Sequence, residues 1–260
     1  MRVGVDAGSS RIKFALLDDE GTAQQLRTHV NVGIEMTLIE KRLGRFLEEH
    51  SFSRADVSVG ACGYGRGLVA DPKNEMTEIT ALGRGVALAG KMVDAVIDIG
   101  AQDFKVLRID PKKGSVLEFY MNDKCSSGTG AFMHAILERL GISFDQMNEY
   151  YALGTESVGL SATCTVFAAS EVIEHLSKGV AVDVVLRGAV AALVRKISPL
   201  VSRLGAIGNC TLTGGLGLQP CIANAFSSAL NIPFITLDHP SYRGAIGAAA
   251  LAPKAEKAGV

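Results

Sequence analysis

Two stretches ninety-two positions apart constrain this chain more than any other feature. Residues 3–6 (Val-Gly-Val-Asp) are a short apolar strand pattern, Ala7-Gly8-Ser9-Ser10 a turn of small residues, and residues 12–17 a second strand pattern that stops at Asp18. Adding 92 reaches Val96-Ile97-Asp98-Ile99-Gly100-Ala101-Gln102-Asp103, which leads into residues 104–109 and stops at Asp110. Asp6 falls on Asp98, Gly8 on Gly100, Lys13 on Lys105 and Asp18 on Asp110, without a gap. Chance can align two hydrophobic hairpins, but four polar or glycine coincidences at one offset favour internal duplication. The fold must then contain two related halves, each begun by a hairpin.

The remaining pattern fits two such α/β halves. A strand at 25–30, an amphipathic helix carrying Met36, Ile39, Leu43, Phe46 and Leu47, and a strand at 57–60 complete the first. The second continues with a strand at 116–121 and a run of helices. One of these spans 183–204 with Leu186, Val190, Leu193, Ile197 and Leu204 on one face, and Pro199 should kink or break it. Thr211-Leu212-Thr213 is a strand entering the Gly214-Gly215 turn, 234–237 a further strand, and 244–251 a helix lined with small residues. With 260 residues, 48% of them hydrophobic, the chain can bury a large core. A net charge of -1 and the lack of a basic stripe argue against nucleic acid and against anionic membranes as partners. No apolar run approaches the length of a membrane span, and the expected location is the cytoplasm.

Five cysteines in such a chain do not suggest disulfides. Cys125 lies in Met-Asn-Asp-Lys-Cys-Ser-Ser-Gly-Thr-Gly (121–130), just before a helix over 131–140 with Phe132, Ile136 and Leu140 at helical spacing and Gly141 as its stop. Cys164 repeats the arrangement within residues 161–167, before a helix whose apolar side should carry Phe167, Val172 and Leu176, with Gly179 as its stop. The positive end of a helix favours thiolate, the form that attacks electrophiles and ligates soft metals. These residues alone leave both a ligand and a small core residue open for Cys125 and Cys164; Cys62, Cys210 and Cys221 read as core. Met133 and Met147 also read as core, His134 and His175 as surface or packing residues, and Glu171 as either a ribose contact or a solvated helix residue.

A hairpin tip of the form Asp-x-Gly followed by small or polar residues can curl its amides around an anion while the aspartate holds a hydrated Mg2+ or orients water. Neither turn has Walker spacing, and no G-x-G-x-x-G joins a strand to a helix, so the P-loop and Rossmann readings fail. Paired turns with Gly214-Gly215 after a long helix resemble the actin, heat-shock ATPase and sugar-kinase superfamily. That likeness implies a two-domain α/β fold with duplicated hairpin-containing halves. Residues 1–88, with 244–260 returning, would form the smaller domain and 89–243 the larger, with ATP bound in the cleft. It makes 6–10 the first phosphate motif, 98–103 the second, Gly214-Gly215 the adenosine motif and 244–248 a connecting helix.

Gly63-Tyr64-Gly65-Arg66, the 98–103 and 121–130 segments, 161–167 and Thr213-Gly214-Gly215 together resemble the BadF/BadG/BcrA/BcrD ATPase family, and within it the activators of 2-hydroxyacyl-CoA dehydratases. The resemblance runs from residue 3 to about residue 250. It implies an ATP-hydrolysing electron donor to an iron-sulfur dehydratase, itself supplied by a flavodoxin or ferredoxin. It also implies Mg2+ and a homodimer bridged by one [4Fe-4S] cluster, with Cys125 and Cys164 as ligands. A cubane takes four thiolates, and two chains with two each make four. Asp98, Asp6 and Gln102 would be catalytic, and Gly8, Ser9, Ser10, Lys13, Gly100, Ala101, Asp103, Gly214 and Gly215 would bind the nucleotide and its metal. Ala101 departs from the family's Asp-Ile-Gly-Gly-Gln and puts a methyl where backbone meets phosphate. The rival readings are the ATPase of a benzoyl-CoA reductase or of a double-cubane-cluster protein, a small-molecule kinase of the superfamily, and a non-catalytic nucleotide-dependent scaffold.

Overall fold

The structure is a computed structural model and describes residues 1–30, 36–122, 127–161 and 164–254. Cys125, Ala162, Thr163 and the returning tail 255–260, as well as the side chain of Met36, lie outside the described residues.

The chain divides into two compact units. The first takes Met1–Met92, Ile109–Leu117 and the C-terminal stretch from Leu237; the second takes Val93–Arg108 and Glu118–Thr236. Strands β1 (Arg2–Ala7), β2 (Arg11–Leu17) and β3 (Ala23–Val30), helix α1 (Met36–Glu49), β4 (Ser58–Cys62), the short β5 (Asn74–Glu75) and α2 (Glu78–Ala87) build the first unit. Its sheet runs β3-β2-β1-β4-β5. One face buries Val3, Val5 and Phe14 against Ile39, Leu43, Phe46 and Leu47 of α1, the face set by helical spacing. The other is covered by α8 (Arg243–Leu251), where a Cβ on Gly4 would lie 1.8 Å from the Ala245 carbonyl oxygen. Helix α8 also crosses α2 backbone to backbone: a Cβ on Gly247 would lie 1.7 Å from the Ala81 oxygen, and one on Gly85 1.8 Å from the Arg243 oxygen.

The second unit contains β6 (Ala95–Ile99), β7 (Phe104–Ile109), β8 (Val116–Met121) and β9 (Cys210–Gly214), in the order β8-β7-β6-β9. This matches β3-β2-β1-β4 strand for strand. The duplication holds at the level of register: Asp6 pairs with Lys13 and Asp98 with Lys105, Ala7 with Ile12 and Ile99 with Phe104. Even the turn closure repeats, Gly8 N–H donating to Arg11 O at 3.0 Å and Gly100 N–H to Asp103 O at 2.9 Å. The halves differ in what joins the third and fourth strands. The first uses α1; the second inserts α3 (Gly130–Leu140), α4 (Met147–Tyr151), α5 (Thr165–Ser177) and α6 (Val182–Arg203), and α7 (Pro220–Leu230) follows β9.

Helix α3 buries Phe132, Met133, Ile136, Leu137 and Leu140 and ends as expected at Gly141, whose φ of 69° and the bond from Ile142 N–H to Leu137 O close a Schellman turn. Met147 is buried as well. Three expectations need correction. Helix α6 does not break at Pro199 but runs on to Arg203, the buried stripe of Ile197 and Val201 continuing past the proline. Phe167 is 66% exposed; the buried side of α5 is carried by Ala168 and Val172. Residues 234–237 form no strand, since only Phe234 bridges to Cys210 before the chain turns at Asp238 and His239. Among the described residues no helix is long and apolar enough to cross a membrane.

Candidate functional site

In each unit the Asp-x-Gly turn sits at the end of the central hairpin beside a parallel strand, and each aspartate is buried. In the first unit Asp6 Oδ2 accepts from Lys13 Nζ at 3.1 Å, so Lys13 is bound to its aspartate rather than held out alone. Asp6 Oδ1 is buried and has no hydrogen-bond partner. A carboxylate oxygen taken from water and left unpaired is costly, and such an atom fits a cation or a cation-bound water. A Cβ on Gly63 (φ 89°) would lie 2.7 Å from that oxygen, so any side chain there would press on it. Ser9 and Ser10 are half-buried in the turn, their amides outside the strand ladder.

In the second unit Asp98 Oδ1 accepts the Thr213 hydroxyl at 2.7 Å, across the β6–β9 register that pairs these residues. Lys105 stands 3.9 Å from Asp98 Oδ2 and 2.8 Å from Asp103 Oδ2, one buried ammonium against two carboxylates. Gln102 is exposed and Ala101 half-buried. Ala101 is not among the residues with positive φ, so its methyl strains no backbone. Gly214 has a φ of 78° and pairs with Ile99, and a Cβ on it would lie 2.2 Å from the Ile99 oxygen. Gly215 is exposed and opens a 3-10 turn. The structure therefore brings Asp98, Gly100, Asp103 and Gly214 to one end of the second sheet, and Asp6, Gly8 and Lys13 to one end of the first. Sequence reasoning left out Thr213 and Lys105. Lys105 was visible as the repeat of Lys13, and Thr213 as the hydroxyl directly before Gly214.

The segment before α3 is tied to the second turn from both sides. Gly130 N–H donates to Gly100 O at 2.8 Å and Ala131 N–H to Ala101 O at 2.9 Å. On the other side Phe104 N–H donates to Asn122 Oδ1 at 2.8 Å and Asn122 N–H to Phe104 O at 3.2 Å. Cys125 itself lies outside the described residues, but both described flanks of its segment are fastened to the hairpin of Gly100.

Cys164 is the N-cap of α5, half-buried, and its side chain makes no capping bond. Helix α5 packs on α3, and its first turn exposes Val166 and Phe167. The other described cysteines are core, as expected. Burial pushes the Cys62 and Cys210 thiols well up, and that of Cys221 to about 11. Among the described residues no three His, Cys, Asp or Glu side chains are gathered to hold a metal. Cys164 is the one described thiol that caps a helix; taken with Cys125 of the sequence it would give two thiols per chain, a donor set that fits a four-thiolate cluster only when two chains share it. Glu171 accepts from Ser161 N–H at 2.5 Å and so fastens the approach to Cys164 onto α5. His134 is exposed and His175 Nε2 lies 3.4 Å from Gly159 O, consistent with surface roles.

The sequence model of the BadF/BadG/BcrA/BcrD ATPase family matches residues 3–252. The chain is 33% identical over 248 residues to the activator of lactoyl-CoA dehydratase of Anaerotignum propionicum, covering 95% of each protein. Its structure is similar to that of the activator of the 2-hydroxyisocaproyl-CoA dehydratase from Clostridium difficile with bound ADPNP. The TM-score is 0.88 at 31% identity, with 96% of this chain and 93% of the other covered. A glucokinase of the ROK family from Streptomyces griseus shares the fold alone, at a TM-score of 0.57 and 15% identity over 96% of this chain and 98% of that one. The fold is thus of the sugar-kinase type.

Proposed function

The chain belongs to the BadF/BadG/BcrA/BcrD ATPase family, and we propose that it is the ATP-hydrolysing activator of a 2-hydroxyacyl-CoA dehydratase, working in the cytoplasm as a homodimer. In this reading Ser9, Ser10, Gly8, Gly100, Ala101 and Gln102 hold the phosphates. Asp6, Asp98 and Asp103 handle Mg2+ and the attacking water, with Lys13 and Lys105 offsetting their charge, and Gly214 and Gly215 meet the adenosine. Cys125 and Cys164 of two protomers would hold one [4Fe-4S] cluster, which when bound supplies a low-potential electron, replenished from a flavodoxin or ferredoxin.

The observation that carries the reading is the double attachment of the cysteine segment to the second phosphate turn. Gly130 and Ala131 bond to Gly100 and Ala101, and Asn122 to Phe104, so a shift of the turn on nucleotide binding or hydrolysis pulls directly on the residues that flank Cys125. A kinase of the superfamily has no need of the paired Cys125 and Cys164 that this linkage adjoins. Anaerobic purification with iron and sulfide analysis, combined with ATP turnover, tests it. A brown dimer carrying about four irons per two chains is expected, and an iron-free protein that phosphorylates a small acid or sugar would replace this reading by the kinase one.

A further inference from the structure

The two halves differ at one matched position beside their aspartates. In the second unit the residue paired with Asp98 on the parallel strand is Thr213, and its hydroxyl clamps Asp98 Oδ1 at 2.7 Å. In the first unit the residue paired with Asp6 in the same parallel register is Cys62. Its thiol points to the Gly244 carbonyl oxygen, 3.6 Å away, and Asp6 Oδ1 is left buried without a partner. Gly63, the next residue, adds no side chain over that oxygen.

We propose that Cys62 is a positioning residue of the nucleotide site: by withholding the hydroxyl that Thr213 gives to Asp98, it leaves Asp6 Oδ1 for the magnesium ion or its bound water. The inference rests on the proposed ATPase reading and adds a division of labour to it. Asp98, held at Oδ1 by Thr213 and facing Lys105 at Oδ2, is fixed in one orientation, as a group that aligns water must be. Asp6 keeps one oxygen uncommitted, as a group that receives a cation arriving with the nucleotide must. Sulfur suits the task because a thiol is a weak donor that fills the same space as a hydroxyl-bearing side chain without competing strongly for a carboxylate.

The test compares Cys62→Thr with Cys62→Val, which have the same shape and differ in the hydroxyl. Binding of a fluorescent ATP analogue is titrated with Mg2+, and Mn2+ affinity is followed by electron paramagnetic resonance, both in the full chain without turnover. A hydroxyl donating to a carboxylate competes with the cation, so Cys62→Thr should need about threefold to tenfold more Mg2+ than Cys62→Val. Cys62→Ser supplies the same donor in a smaller side chain and should shift in the same direction. Equal Mg2+ requirements for Cys62→Thr and Cys62→Val would overturn the proposal. If the unaltered chain binds no nucleotide with Mg2+ at all, the ATPase reading fails instead.

Discussion

Gly130 donates its backbone N–H to the carbonyl of Gly100 at 2.8 Å, so the first helical residue after the Cys125 segment is bonded to the centre of the second Asp-x-Gly turn. A Cβ on Gly130 would lie 2.9 Å from that oxygen and 3.3 Å from Ala101 Cα. Gly130→Ala therefore forces the two apart at a strain of about 1–3 kcal/mol. Nucleotide should still bind, while the rate at which a chelator such as bipyridyl extracts iron should lose its difference between ATP-bound and ADP-bound protein. A difference as large as in the unaltered protein would show that the coupling runs elsewhere.

Asp98→Asn should reduce ATP hydrolysis by about a hundredfold or more while nucleotide affinity changes little, because its assigned work is to align metal and water. Thr213→Val removes one bond to a buried charge, about 1.5–3 kcal/mol, and should lower turnover by tenfold or more in the same direction. Equal losses of binding and hydrolysis in both variants would make Asp98 a structural residue.

Cys125→Ser and Cys164→Ser should each abolish iron incorporation, and Cys62→Ser, Cys210→Ser and Cys221→Ser should not. In iron-free protein at pH 8, iodoacetamide followed by mass spectrometry should modify Cys164 and spare Cys62, Cys210 and Cys221. Besides its burial, a thiol with a pKa of about 11 is ionised only to about one part in a thousand there. Full iron content in the Cys164 variant would remove the shared-cluster reading.

The two hairpins end on matched carboxylates, and these carry a pH dependence. Asp18 is held below the usual carboxylate range first by the Thr22 amide, and Asp110 by the amides of Lys113 and Lys112. A depressed pKa means that the contribution is present above about pH 4 and fades as the pH falls through the lowered value. The double variant Asp18→Ala, Asp110→Ala should melt below the unaltered protein at pH 7, and the gap should narrow as the pH falls below about 4. A gap that persists in acid would assign these residues a role in packing instead.

The hairpins and their aspartates were legible because a strand shows its period in a few residues and the repeat supplied a second copy for comparison. Helix α2 went unread although Ile79, Leu82 and Val86 keep helical spacing, because Gly83 and Gly85 look like breakers until Gly85 is seen packed backbone to backbone on α8. Helix α7 went unread although Pro220 stands at its start and Ile222, Phe226 and Leu230 follow at helical spacing. Phe167 was assigned to the core because hydrophobicity was read without the burial that Ala168 and Val172 already provide. The difference between Cys62 and Thr213 could not be seen as a difference at all until the strand register placed each beside its aspartate.

The way α8 lies on the first sheet has a consequence for how the protein is made. Strands β1 and β4 leave the ribosome long before the helix that covers one of their faces, which follows β9 in the chain. The second sheet waits almost as long, since β6 pairs with β9 only after the four inserted helices have been synthesised. Long-range pairing of this kind slows folding and keeps apolar surface open to aggregation. Neither half can close until late in synthesis, so truncating α8 should cost solubility before it costs any single bond of the site.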